Sequence, residues 1–111
     1  MARSLHKYTV VEGQNVGLGQ AGSVFSNTTD NLTPASGHFV AITVIEDATF
    51  TTLVSADGAG INFIGTTASN AGSGDGNEAI TNGVTFSAGT TIYGRWNSIT
   101  LNGGSIVAYL G

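Results

Sequence analysis

The chain has no cysteine, one proline and one tryptophan in 111 residues, and only 9% of its side chains are charged. Each shortage excludes something. Without cysteine there is neither a disulfide frame nor a thiolate metal site, so stability rests on packing or on association. The same absence favours the cytosol, or a particle assembled there, over a secreted small domain. Three bases against seven acids give a net charge of −4 and no basic face for a phosphate backbone, so nucleic acid is not an expected partner. No apolar run approaches the roughly 20 residues of a membrane helix. The N-terminus, MARSLHKYTVVEGQ, carries bases but no hydrophobic h-region, so neither a signal peptide nor a membrane partner is expected. Long Ala/Leu/Glu/Lys-rich segments are missing too, which leaves helix propensity poor almost throughout.

What is present is neutral polarity and β-branched side chains. Gly, Ser, Thr and Asn fill 51 of the 111 positions, so hydrogen-bonding capacity comes from uncharged groups. Short apolar runs are punctuated by Gly and Asn, the profile of an all-β domain with many turns. The last quarter, VTFSAGTTIYGRWNSITLNGGSIVAYLG, states the pattern most clearly. Side chains alternate between faces along a strand, so Val84, Phe86, Ile92, Ile99, Leu101, Ile106, Ala108 and Leu110 can share one interior. Turns are expected at Ala88-Gly89 and at Asn102-Gly103-Gly104.

The chain divides into residues 1–37, an N-terminal arm and irregular loop, and residues 38–111, a β-domain. Arg3 and Lys7 give the first eleven residues a charge of +2, whereas seven acids against Arg95 leave the remainder at −6. Leu5–Val11 reads as one strand, followed by a Gly/Asn/Ser/Thr-rich stretch that holds Pro34. From His38 onward, HFVAITVI reads as a central strand turned by Glu46-Asp47. ATFTTLVS follows, with Phe50 and Leu53 as anchors, then a turn at Asp57-Gly58 and a short apolar piece at Ile61–Ile64. Gly65–Ala79 is a polar loop. AITNGVTF is either a bulged strand or a hairpin on the type I′ pair Asn82-Gly83. Thr90–Leu101 and Ser105–Leu110 complete about seven short strands, consistent with a small sandwich, jelly roll or β-tulip-like domain.

Candidate chemistry is thin. Gly17, Gly19 and Gly22 spell G-x-G-x-x-G, but that pattern holds a pyrophosphate only where a helix follows, and SVFSNTTDNLTP is not a helix. Asp75, Asn77 and Glu78 suggest calcium, yet the sixth position counting Asp75 as the first is Ile80 where an EF-hand needs glycine, so a solvated turn is the simpler reading. His6 and His38 fall short of a four-ligand zinc site within one chain. No nucleophile elbow appears and no acid–base constellation stands out, so neither a cofactor nor an enzymatic activity is expected.

Arg95-Trp96 is the pair with most to offer. Arg95 is the only base beyond residue 7. Alternation sets Tyr93, Arg95 and Asn97 on one face and Ile92, Gly94, Trp96 and Ser98 on the other. Trp96 then plugs the core and Arg95 faces an interface, because aromatic burial dominates small cores. Ile92 and Trp96 share the face of Ile99 only if a bulge intervenes. The competing reading is a carbohydrate-binding or fibre-tip domain in which Tyr93, Arg95 and Trp96 stack on a sugar; a buried Trp96 would remove it.

The run ITVIEDATFTTLVS, followed by VTFSAGTTIYGRWNSITLNGGSIVAYLG, resembles small virion proteins of tailed bacteriophages. The likeness spans about residues 38–111, and its specific part is the C-terminal run. It implies a capsid decoration, or head-stabilising, protein on the virion surface, assembled in the host cytoplasm. The implied partner is the major capsid protein, bound by a homo-oligomer, with a trimer favoured at a local symmetry axis. The basic N-terminal segment would then extend onto an acidic capsid or a neighbouring subunit. The contact residues expected on this reading are Leu5, His6, Tyr8 and Val10 in the arm, with Arg95 on the β-domain.

Overall fold

The computed structural model describes residues 21–69, 71–72 and 78–111. Among these the regular elements are all strands: β1 (Ser23–Ser26), β2 (Asn31–Leu32), β3 (Phe39–Ser55) and β4 (Thr91–Leu110). The all-β class expected from the composition is what the chain adopts. The expected strand at Leu5–Val11 lies outside the described residues. Residues 21–37, read from sequence as arm and loop, contain β1 and β2, both laid antiparallel on β4.

Two long strands build almost everything. Along β3 the partner numbers on β4 fall as the β3 numbers rise, so the two run antiparallel throughout. The first half of β3 is paired on both edges. Ala41, Ile42 and Thr43 face Tyr93, Ile92 and Thr91 on one side, and Tyr109, Ala108 and Val107 on the other. The second half, Thr49–Ser55, runs beside the stretch from Gly103 back to Trp96. Phe39 and Ser55 therefore both register on Trp96, which requires the 17-residue β3 to bend back on itself. One bent ribbon thus supplies two layers, the device by which strands pass round a corner between packed sheets.

The corner falls where sequence suggested turns. Ile45, Glu46 and Asp47 are three consecutive exposed residues that interrupt the burial alternation of β3, yet the strand continues through them. Their carboxylates serve neighbouring segments. Asp47 Oδ1 accepts from the Ala88 amide at 2.8 Å, and the buried Ser105 hydroxyl donates to Glu46 Oε1 at 2.9 Å. On the facing strand, Gly103-Gly104 is likewise a bend within β4 and not a reversal. Gly104 has φ +87°, and a Cβ there would overlap the Asp47 carbonyl and sit 2.7 Å from Ala48 Cα. Only glycine lets the two corners cross this closely.

Apolar residues from every part of the ribbon meet in one core of Phe39, Ile42, Phe50, Leu53, Trp96, Ile99, Leu101 and Ile106 among others. Each such side chain contributes about 1.5–3 kcal/mol by leaving water. Phe50 and Phe86 add an edge-to-face contact with ring centroids 5.3 Å apart. The bulge demanded by the sequence pattern is present. Trp96 registers on Ser55 and Ser98 on Val54, leaving Asn97 as the extra residue, so Trp96 and Ile99 both point inward.

Two local expectations are corrected. Val84, placed in the interior by alternation, is exposed, because residues 80–86 do not form a strand of the sheet. Asn82-Gly83 does sit in a turn, with the Val84 amide donating to the Thr81 carbonyl. Neither residue has the positive φ of a type I′ hairpin. The arms of this turn bond elsewhere, Ile80 to Gly65 and Phe86 to Ala48, so tertiary pairing overrides the local hairpin signal. Ala88-Gly89 does form the expected turn. The Thr90 amide donates to the Ser87 carbonyl, and Gly89 at φ +90° occupies the position that a type II turn reserves for glycine.

Candidate functional site

The N-terminal half of β4 sorts its side chains as alternation requires. Thr91, Tyr93, Arg95 and Asn97 are exposed, while Ile92, Gly94 and Trp96 turn inward. Trp96 is fully buried, and its indole N–H donates to the Ile64 carbonyl at 2.8 Å, so the one polar atom of the ring is satisfied inside. Gly94 makes this placement possible, since a Cβ there would lie 2.6 Å from Trp96 Cζ2. A tryptophan held in this way cannot stack on a ligand. The sugar-binding reading that used Tyr93, Arg95 and Trp96 together is therefore removed in that form.

Arg95 lies on the rim of an open cleft of about 400 Å³, together with His38, Asp57, Ile61, Phe63 and Asn97. The elements that shape it are well tied down. The Arg95 carbonyl accepts from the Ala56 amide at 2.8 Å, which fixes the strand beneath the guanidinium. His38 Nδ1 bonds Asn97 Oδ1 at 2.8 Å, with the imidazole N–H donating to the amide oxygen. Asp57 Oδ1 accepts from the Phe63 amide at 2.8 Å and closes a loop whose tip is the tight turn Gly58–Ile61. Ala59 and Gly60 have φ of +53° and +79°, the two left-handed positions of a type I′ turn. Ala59 is the only described residue other than glycine with positive φ, and the strained backbone lies at the mouth of the cleft.

The cleft combines a guanidinium, a carboxylate, an amide and an imidazole with exposed Ile61 and the partly exposed Phe63. It can donate hydrogen bonds and bury apolar surface. Among the described residues its lining contains no hydroxyl or thiol that His38 could activate. Asp57 is engaged by its own loop, and Asp75 and Asn77, weighed above for calcium, lie outside the described residues. Among the described residues no three His, Cys, Asp or Glu side chains gather where they could hold a metal ion. After Gly22 comes strand β1 and not a helix, so the glycine pattern has no helix N-terminus to present to a phosphate.

Of the contact residues expected from sequence, Arg95 is exposed as anticipated, and the structure adds His38, Ile61, Phe63 and Asn97 beside it. Leu5, His6, Tyr8 and Val10 lie outside the described residues. Sequence reading missed the part played by Asn97; its place one step past Trp96, at the bulge, was the available signal. No protein-family model, curated protein or solved structure matches this chain.

Proposed function

We propose that this chain is a non-enzymatic capsid decoration protein of a tailed bacteriophage, which binds the outer capsid surface and clamps neighbouring major capsid subunits. The likeness of residues 38–111 to small virion proteins supplies the class of partner. The observation that carries the reading is the Arg95 cleft: an arginine beside exposed apolar groups, on a rigid strand, at the only base of the β-domain. Arginine and large apolar side chains are the residues that dominate the energy of protein interfaces. The partner surface this cleft fits is acidic at its centre and apolar around it.

Association follows from the same economy of charge and core. A trimer on a local symmetry axis gives each β-domain a weak contact and then multiplies it, since joined sites gain through effective concentration. The basic residues 1–11, with Leu5, His6, Tyr8 and Val10, extend the footprint on the capsid. The test is co-sedimentation with decoration-free heads built from the major capsid protein of the same genome. Deleting residues 1–11 abolishes binding while the Trp96 emission of the β-domain stays native. Arg95→Ala weakens binding about fivefold or more, the effect of an interface anchor worth at least ~1 kcal/mol. Unchanged binding after both changes sinks the proposal.

A further inference from the structure

We infer a second site on the outer sheet face, on the same side of β4 as Arg95 but lined by other residues: a shallow groove that binds a neutral glycan. The inference goes beyond the decoration reading and does not rest on it. It starts from register. Ala41, in the middle strand segment, is paired with Tyr93 on one side and Tyr109 on the other. Neighbouring strands are about 4.8 Å apart, so the two tyrosines rise about 10 Å apart with only a methyl group between them. One rung further, Thr43 stands between Thr91 and Val107. The result is a groove of about 200 Å³ lined by Ala41, Thr43, Thr91, Tyr93 and Tyr109. Ala41 is its floor at 7% exposed, and Tyr93 is its high wall at 71% exposed.

The chemistry of this lining selects its ligand. Among the described residues no charged side chain lines it, so neither an anionic nor a cationic ligand finds a counter-charge there. Thr43 Oγ1 and Thr91 Oγ1 lie 3.0 Å apart and share one hydrogen bond. That bond uses one donor and one lone pair, leaving the pair with a free O–H and spare acceptor positions. The tyrosine hydroxyls are also donors and acceptors at once. A wholly apolar ligand would leave these four hydroxyls desolvated and unpaired, which is unfavourable. A sugar ring has the complementary make-up. Its C–H face carries partial positive charge and meets the negative face of a tyrosine ring, while its hydroxyls exchange hydrogen bonds in both directions with Thr43 and Thr91. The groove is smaller than the ~300–1,000 Å³ of pockets that enclose a whole ligand, and it is open, which suits one ring of a longer oligosaccharide.

The experiment uses the full chain labelled with ¹³C at the tyrosine ring ε positions, which gives signals from the chain's three tyrosines. It is titrated with neutral hexasaccharides of glucose, mannose, galactose and N-acetylglucosamine, and with an oligogalacturonate as the anionic comparison. At least one neutral sugar is expected to shift Tyr93 and Tyr109 saturably. Tyr93→Ala should weaken that binding several-fold to about tenfold, the loss of one aromatic contact. Ala41→Leu, which fills the floor, should abolish it, with unchanged Trp96 emission showing that the fold is retained. Three results overturn the inference: no neutral sugar shifts both tyrosines; the anionic sugar binds more tightly than any neutral one; or the same shifts appear without sugar as protein concentration rises, which assigns the face to a second copy. Head binding by the Tyr93→Ala variant is a separate measurement, so either proposal can fail alone.

Discussion

Replacing Gly104 by alanine tests the bent-ribbon architecture at its tightest point. Gly104 adopts φ +87° where the β4 bend crosses the β3 corner, and a Cβ would collide with the Asp47 carbonyl and the Ala48 backbone. Two penalties add. Holding an alanine in the left-handed region costs about 1–2 kcal/mol. Forcing a methyl group against backbone that cannot rotate away costs about 1–3 kcal/mol more. The expected loss is thus ~2–5 kcal/mol, a large share of the roughly 5–15 kcal/mol that holds a domain together. Two neighbours separate the terms. Gly89 has φ +90° but open space around it, so Gly89→Ala should lose only the conformational part, about 1–2 kcal/mol. Gly103 has no left-handed φ, and its nearest new contact would be Thr49 Oγ1 at 3.9 Å. Gly103→Ala should therefore be neutral, or stabilising by up to ~1 kcal/mol, since glycine weakens a strand. Urea unfolding followed by Trp96 emission reads all three as shifts of midpoint at constant slope. A Gly104→Ala protein within about 1 kcal/mol of Gly103→Ala, the size of an ordinary glycine effect inside a strand, would refute the crossing.

Further expectations follow from single contacts. Gly94→Ala drives a methyl group into the Trp96 ring, so emission should shift to the red and stability fall by about 1–3 kcal/mol; native emission and an unchanged midpoint would contradict the packing. Ala59→Asn places a residue that tolerates φ +53° ahead of Gly60 and completes an Asn-Gly type I′ pair, so the midpoint should rise by the equivalent of about 0.5–1 kcal/mol. Ser105→Ala removes the hydrogen bond to Glu46, and because that carboxylate is exposed and regains water, the loss should stay near 0.5–1.5 kcal/mol by the same unfolding assay.

How far the fold could be read in advance depended on whether a signal was local. The run His38–Ile45 announced a central strand because it is paired on both edges and needs apolar residues with little interruption. Phe50, Leu53 and Trp96 were legible as core for the same reason, and the spacing of Ile92, Trp96 and Ile99 required the bulge that Asn97 provides. The corners were not legible. Glu46-Asp47 and Gly103-Gly104 carry the composition of turns, but here the acids bind groups on other segments and the glycine permits a crossing; both facts depend on residues some forty to sixty positions away. Asn82-Gly83 misled in the same way, since distant carbonyls claimed the amides that a hairpin would have used. Strands β1 and β2, of four and two residues, are too short to show a period. At the site, the outward face of Arg95 followed from alternation alone. The Tyr93–Ala41–Tyr109 row did not, because three positions from three separate stretches become neighbours only through the double pairing of β3.

The proposed role requires this β-domain to dock on a capsid lattice as a small symmetric assembly. Light scattering gives its solution mass, and sedimentation after mixing with decoration-free phage heads shows whether it binds them. A trimer that pellets with the heads and saturates them is the expected result. A monomer that stays in the supernatant at every concentration tried would contradict it.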